Sequence, residues 1–388
     1  MKNLTICTIL FTMAISLFPI VPGYYGARSL SLGYSTTALN VDVNAIFINP
    51  ALLAAAKYSS TGYQYRNSFM DYRNFLDDLN EILEYDLKNF ESIAGSEKEA
   101  LFSKVQNLFR SKSGMYGFSS SVPGFVSRGY GISVSVVKTA VINPVDNDIL
   151  TKEAANVSNE NIASLNMNFL GLSYKQFSFS YALPFAAGMN IGLSLHYLKG
   201  KLTEYNTSMI DDIFAGSSGA STYLEDCWRE ADEQFSKIVM DVGFSADFGA
   251  YFKLGLNMKN VAGAKIKTGE REIGLNKRVT AGLAFTPNPQ WGVYLDMDIT
   301  QTDLLYSGNK MQPISLGIEK GFFKNKLFLR AGFLTDLTEK YFLGARSNVL
   351  YGLGFGFNLG SFIVDFGLGV DGHGAVNNLA VSGFFIVK

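Results

Sequence analysis

The sequence predicts an all-β chain: a transmembrane antiparallel β-barrel of about 14 strands, with an N-terminal plug in the lumen and helices in the outer loops. Three observations predict it. The 388 residues hold 38 Gly and 14% aromatics but only 17% charged residues, where about 25% is usual in soluble domains. Mean hydropathy is +0.12, yet only the N-terminus carries an apolar run long enough to cross a bilayer as a helix. Apolar residues elsewhere alternate with Gly, Ser and charges, and the connections between alternating segments are sorted by length. Near-neutral charge, 33 Lys+Arg against 34 Asp+Glu, speaks against a nucleic-acid partner. A hydrophobic fraction of 47% excludes a disordered acidic chain.

The N-terminus comes first. Lys2 and the apolar run over 4–20 have the form of a secretory signal, with cleavage expected after Gly23. The expected organisation is then signal 1–23, plug 24–57 and barrel 58–388. Cleavage would leave Cys227 as the only cysteine, so neither an internal disulfide nor a Cys-based metal site is expected. No cofactor is expected either.

The strands read as roughly 58–66, 114–122, 129–141, 163–184, 188–203, 235–247, 250–260, 276–286, 290–302, 312–320, 325–335, 347–358, 361–370 and 377–387. In 361–370, Phe362, Val364, Phe366, Leu368 and Val370 share one face and Asp365, Gly367 and Gly369 the other. Segments 191–197, 251–260 and 291–300 behave alike. Alternation alone also fits a soluble sandwich, but loop lengths discriminate. Every connection after an odd strand is at least as long as every connection after an even one. Short turns at one end and long loops at the other are the habit of bacterial outer-membrane barrels. Closure is required because an open edge in lipid would strand backbone N–H and C=O groups at several kcal/mol each. Segment 163–184 is long enough to hide a hairpin.

Helical insertions are expected at about 67–113 and 204–234. Tyr72, Phe75, Leu76, Leu79, Ile82, Leu83, Leu87 and Phe90 follow helical spacing over 72–90. Ser96 with Glu99 has the capping-box pattern ahead of Leu101, Val105, Leu108 and Phe109. A third helix is expected over 221–235, around Trp228. The 67–113 helices either cap the mouth, bind a protein partner, or pack only on each other.

Residues 24–57 are too apolar for a loose tail and alternate too poorly for a wall strand, which makes them a lumen plug. Here the chain resembles the FadL-type outer-membrane transporters of hydrophobic compounds, together with the PorV-like and TraF-like barrels. The carriers are Gly26-Ala27-Arg28-Ser29-Leu30-Ser31-Leu32-Gly33, then Asn44 to Leu53 with its Asn49-Pro50-Ala51, and more weakly Gly255 to Val261. Leu52 departs from the usual Gly, the chain ends on Lys388 where assembly machinery often reads an aromatic, and the 67–113 insertion looks more TraF-like. The resemblance implies membrane lipids, a hydrophobic small-molecule substrate and the outer-membrane assembly machinery as partners. It also implies a bacterial outer-membrane location, and a hatch at Phe47, Asn49, Pro50 and Ala51 that shifts to release substrate. Pro fixes φ and lacks a donor, and Asn can bond its own backbone, which suits either a hatch or a turn ending the plug.

Conventional catalytic chemistry is absent from local patterns. His196 and His373 are the only histidines, neither has a neighbouring Ser to activate, and no enzyme is expected. Gly367 to Gly372 matches G-x-G-x-x-G but leads into a turn and a strand, so it is a false dinucleotide fingerprint. His196, Asp241, Asp247, Lys253, Lys259, Asp296, Asp298, Glu319, Arg330 and Asp365 are expected to line the lumen, hydrated and partly paired. The leading functional reading is uptake of hydrophobic small molecules such as long-chain fatty acids. The alternative is a non-transporting barrel that scaffolds a secretion or conjugation apparatus.

Overall fold

A computed structural model describes residues 26–39, 42–72, 81–82, 84–85, 87–110, 114–144, 153, 156–208, 233–268, 271–275, 277–303, 310–338, 349–372 and 376–387. Fourteen strands close into one antiparallel barrel. In chain order they are β1 (Ser59–Tyr72), β2 (Gly114–Ser127), β3 (Tyr130–Pro144), β4 (Asn166–Ala186), β5 (Met189–Ser208), β6 (Glu233–Phe248), β7 (Phe252–Lys259), β10 (Arg278–Asn288), β11 (Trp291–Asp298), β14 (Pro313–Phe322), β15 (Leu327–Asp336), β16 (Val349–Asn358), β17 (Phe362–Asp371) and β18 (Val376–Val387). β1 pairs with β18, Ser59 opposite Val387, which closes the ring. Two small hairpins, β8 (Lys265–Thr268) with β9 (Arg271–Gly274) and β12 (Thr302–Asp303) with β13 (Lys310–Met311), lie in long-loop connections.

The alternation places side chains as a lipid-facing wall requires. Phe177, Phe179 and Tyr181 of β4 and Leu193, Leu195 and Tyr197 of β5 are exposed, while Ser178, Ser180, Ser194 and His196 between them are buried inside. An outer surface of this kind belongs in a bilayer. Segment 166–186 is a single strand with no hidden hairpin. Its 21 residues exceed the 9–11 needed to span, so β4 and β5 rise past the apolar core on the long-loop side.

Several boundaries differ from the sequence reading, and β2 runs on from the expected 122 to Ser127. β1 runs on to Tyr72, because 67–72 pair with β2 up to Gly114, and this outweighs the helical spacing that begins there. The second helix, α3 (Gly95–Arg110), starts a residue before Ser96, which sits in its first turn and not at its cap. Phe235, expected to end a helix, lies in β6 because it pairs opposite Gly200. Phe75, Leu76, Leu79, Leu83, Cys227, Trp228 and His373 lie outside the described residues.

A 3-10 helix (Leu87–Ser92), α3 and α4 (Asn159–Ala163) share a core of their own. Phe90, Leu101, Val105, Leu108, Ile162 and Leu165 are buried in it. Two long loops thus build one cap, and the apolar face of α3 is spent within it.

Candidate functional site

The N-terminal segment fills the lumen. α1 (Ala27–Ser31), α2 (Ala45–Ile48) and a 3-10 helix (Pro50–Ala55) carry almost entirely buried side chains. Their backbone lies against a set of inward glycines. A Cβ on Gly317, Gly332 or Gly352 would strike Leu30 or Leu32, and one on Gly192 or Gly243 would strike Asn49, Pro50 or Ala51. Glycine at these wall positions removes the side chain where the plug backbone must approach.

The first half, 26–39, is held by charge. Glu319 of β14 accepts from Arg28 (2.7 and 3.0 Å) and from Arg330 Nε (2.6 Å), and Arg330 Nη1 donates to Asp365 (2.6 Å). Burial acts to lower the Arg28 guanidinium, but Glu319 overrides it and the net direction is up, so Arg28 stays charged. One carboxylate oxygen of Asp296 accepts the backbone N–H groups of Thr36 and Thr37, both at 2.8 Å. Ala27 N donates to Ser382 Oγ at 2.9 Å.

The second half, 43–56, is held by neutral contacts. Ser194 Oγ donates to the Ile46 carbonyl (2.8 Å), and Asn49 Nδ2 bridges to the carbonyls of Thr37 (2.9 Å) and Phe244 (3.0 Å). Asn49 Oδ1 accepts from Ala51 N, capping the turn that Pro50 opens. The Phe47 ring stacks on His196 at 5.9 Å and 15°.

His196 has partners that local sequence did not reveal. Its Nδ1 meets Gln176 Nε2 (2.9 Å) and Ser178 Oγ (2.8 Å), and its Nε2 faces Asp241 (3.3 Å). The Gln176 amide nitrogen donates, which assigns Nδ1 as the acceptor and puts the ring hydrogen on Nε2, toward Asp241. Ser178 and His196 lie directly opposite across the β4–β5 hairpin. Their distances from the turn near 187 were the sequence signal for the pair. The trio resembles an acyl-transfer triad, but Ser178 is 5% exposed, shares its hydroxyl with Gln176 and lies beneath the plug. It holds a seat for Phe47.

The other expected lining residues spread round the wall. Asp298 pairs with Arg278 and accepts from Thr280, all buried. Lys253 meets Asp247 at 3.3 Å near the short-turn end, with Asp247 largely exposed. Lys259 ends β7, half-buried. Arg28, Gln176, Ser178 and Arg278 are functional neighbours the sequence reading did not single out. The structure therefore brings together Glu319, Arg330 and Asp365 on one side and His196 with Asp241 on the other.

Two spaces and one packed apolar cluster lie around the plug. A cavity of about 810 Å³ opens at the short-turn end, bordered by Arg28, Asp42, Lys253, Tyr294 and Glu319. Burial pushes the Asp42 carboxyl there up, against the Asn44 N–H that bonds it at 2.7 Å. Toward the long loops, Leu170, Leu172, Leu198, Leu202, Phe235 and Val239 form an apolar cluster in which Ile266 of the β8–β9 hairpin is buried. Outside the wall lies an apolar groove of about 640 Å³, lined by Phe125, Ile132, Val134, Phe177 and Phe179 among others. Beside that groove the β2–β3 pairing lapses at Val122 and Pro123 and resumes at Gly124 opposite Ser133. Pro123 has no N–H to give. Val43 of the plug sits behind the lapse, in one cluster with Val122 and against Gly124.

Solved structures share this architecture. The Ralstonia pickettii toluene transporter TbuX matches with a TM-score of 0.55 over 94% of this chain and 98% of its own, at 12% identity. The P. putida toluene transporter TodX matches at 0.53 over 95% and 100%, also at 12% identity. A Pseudomonas aeruginosa FadL homologue matches at 0.52 over 95% and 99%, at 8% identity. At these identities the likeness is one of fold, a barrel architecture that all three structures share. No curated protein matches the chain. The family model described as "F plasmid transfer operon, TraF, protein" matches residues 46–298, from the plug's second half through β11. That span exceeds half of the chain, and the protein belongs to this TraF family.

Proposed function

We propose that this barrel resides in a bacterial outer membrane, after cleavage of the segment 1–23, and takes up hydrophobic small molecules of the aromatic or fatty-acid kind. The observation that carries the reading is the alignment of three features on one side of the wall. An apolar groove lies outside, the β2–β3 ladder lapses beside it, and Val43 closes the lapse from within. A hydrophobic molecule would enter through the apolar cluster beneath the long loops and pass the plug. It would leave sideways into lipid when residues 43–56 shift. Asn49 and Pro50 would act as the hinge, and Phe47 and Ala51 as the moving contacts against His196 and Gly192. TbuX and TodX are toluene transporters, and the shared fold supports the reading by analogy.

The test is uptake of labelled long-chain fatty acid and of toluene by cells that lack their own transporter and carry this chain in the outer membrane. Uptake with the intact chain and none after deletion of Asn44 to Leu53 is expected. No uptake of either compound by correctly inserted protein would overturn the reading.

The family match favours a second reading, a barrel that scaffolds a conjugation or secretion apparatus through loop 67–113. The burial of Leu101, Val105 and Leu108 within the cap weighs against it, since that helical face has nothing left to offer a partner. Co-purification of a partner that is lost on changing Phe75, Leu79 and Leu83 to Ser, with no effect on uptake, would favour the scaffold.

A further inference from the structure

We propose that Asp241 and His196 form a relay joining the β8–β9 hairpin at the barrel entrance to the plug, so that a hydrophobic body displacing Ile266 unseats Phe47. The proposal rests on the reading of 43–56 as a moving hatch and deepens it by naming what releases the hatch.

The first link is the hairpin itself. Ile266 is 1% exposed among Leu170, Leu172, Leu198 and Leu202, on a strand otherwise carrying Lys265, Lys267 and Thr268. The branched alkyl side chain of Ile266 therefore occupies an apolar site on the lumen wall, with Ala264 and Leu275 at the ends of the hairpin packed against it. A free branched-alkyl or aromatic group fits the same lining, and burying it there gains what withdrawing Ile266 loses. The hairpin hangs on a turn in which Asn260 and Gly263 have φ of 48° and 68°, both left-handed. Such a turn can pivot with few other dihedral changes.

The second link is Asp241. Its Oδ1 accepts from Asn260 N at 2.8 Å, at the root of that turn, and its Oδ2 faces His196 Nε2 at 3.3 Å. Asn260 Oδ1 accepts in turn from Ala264 N at 3.1 Å, next to the hairpin. One carboxylate thus holds the hinge with one oxygen and the imidazole with the other. Val239, opposite His196 on β6, belongs to the same apolar cluster as Ile266, so the cluster rests directly on the relay.

The third link is the plug. His196 presents its ring face to Phe47, and Ser194, two residues earlier, bonds the Ile46 carbonyl. Withdrawing the hinge N–H from Asp241 leaves that carboxylate to reorient, and the imidazole turns with it. A tilted ring no longer offers Phe47 a parallel face. Both ends act on one element, the Asp241–His196 pair, and the coupling requires that pair to take a second arrangement once the hinge is withdrawn.

The experiment reads plug exposure, not transport. Full-length barrel with Cys227→Ser and Ala55→Cys is purified in detergent, and the rate of modification by a charged maleimide is followed. Ala55 borders the short-turn cavity and is half-buried. Phe47→Ala is the reference for an unseated plug and should speed labelling. Ile266→Ala should speed it at least about fivefold, the lower end of ordinary coupling. Adding His196→Gln should cut the effect of Ile266→Ala to below about twofold, and Asp241→Asn should do the same by a different change. Folding of each variant is checked by heat-modifiable migration. Acceleration by Ile266→Ala that survives both relay changes overturns the relay. So does no acceleration by Ile266→Ala while Phe47→Ala still accelerates, and in either case the hatch stands. No acceleration in any variant, Phe47→Ala included, overturns the hatch reading and the relay together.

Discussion

The two halves of the plug are fixed in different ways. Residues 26–39 meet β11 and β14 through ionised groups, with Arg28 on Glu319 and two backbone amides on Asp296, beside neutral bonds to Ser315 and Ser382. Residues 43–56 meet β2–β6 through neutral hydrogen bonds, one ring stack and apolar contacts such as Val43 with Val122. Charge-assisted bonds are about twice as strong as neutral ones and resist displacement in a low dielectric. Neutral and apolar contacts are exchanged at small cost for similar contacts with a ligand. The contrast implies a plug with a fixed foot and a releasable arm, and the arm lies at the lapsed stretch of the wall.

The largest effect should come from the foot. Glu319→Ala leaves Arg28 and Arg330 without their shared carboxylate. Breaking a buried ion pair from one side costs about 3–5 kcal/mol, so the unfolding midpoint of the purified barrel should fall steeply. A change no larger than that of a surface substitution would show that the foot is not held by charge.

Asp296→Ala should come next. It orphans the Thr36 and Thr37 N–H groups, at about 1–3 kcal/mol for each buried donor left unsatisfied. Thermal unfolding should register the loss, and labelling at Ala55→Cys should change little, because only the Asn49 bond to the Thr37 carbonyl links the arm to this site. Rapid labelling would mean that foot and arm move as one body.

How much of this contrast could be read from sequence follows from its physics. Period-two patterns are local, so all fourteen strands and the inward faces of His196, Asp241, Glu319 and Asp365 were legible in order. Loop parity gave the end at which the turns are short. Register was only half legible. Ser178 faces His196 because both are equally distant from the turn near 187, a relation that a one-residue error in the turn destroys. Partnerships between the plug and the wall were not legible at all. Arg28 and Glu319 are 291 residues apart, and nothing in either neighbourhood names the other. The inward glycines gave no signal of their purpose either. Gly192 and Gly332 look alike in sequence, though one accommodates the arm and the other the foot. The extension of β1 to Tyr72 was missed because strand pairing with β2 decides where the loop begins.

Those two glycines sharpen the comparison at an intermediate scale. Gly192→Ala would press a methyl against Pro50 and Ala51, and Gly332→Ala would press one against Leu32 and Gly33. Overpacking typically costs about 1–3 kcal/mol. A releasable arm can yield, so Gly192→Ala should speed labelling at Ala55→Cys with little loss of stability. A fixed foot cannot yield, so Gly332→Ala should lower the unfolding midpoint and leave labelling slow. The opposite pairing of outcomes would reverse the assignment of foot and arm.

Val43→Ala should cost little stability, and its effect on leakage should be out of proportion. Val43 is fully buried against Val122 and Gly124, behind the stretch where Pro123 breaks the pairing of β2 with β3. Losing two methyl-sized groups costs about 0.8 kcal/mol each in transfer terms, well below the loss expected at Glu319. The methyls removed are nonetheless the ones that fill the space behind a wall segment paired on its β1 side alone. In a bilayer the adjacent groove is filled by hydrocarbon, so a thinner seal admits hydrophobic molecules without any movement of the arm. Proteoliposomes carrying Val43→Ala should therefore pass an apolar fluorescent probe faster than the parent protein, even with the plug cross-linked in place. A Val126→Ala variant, in the same cluster but where the ladder is intact, should not. Equal leakage from the two would place the exit somewhere other than the lapse between β2 and β3.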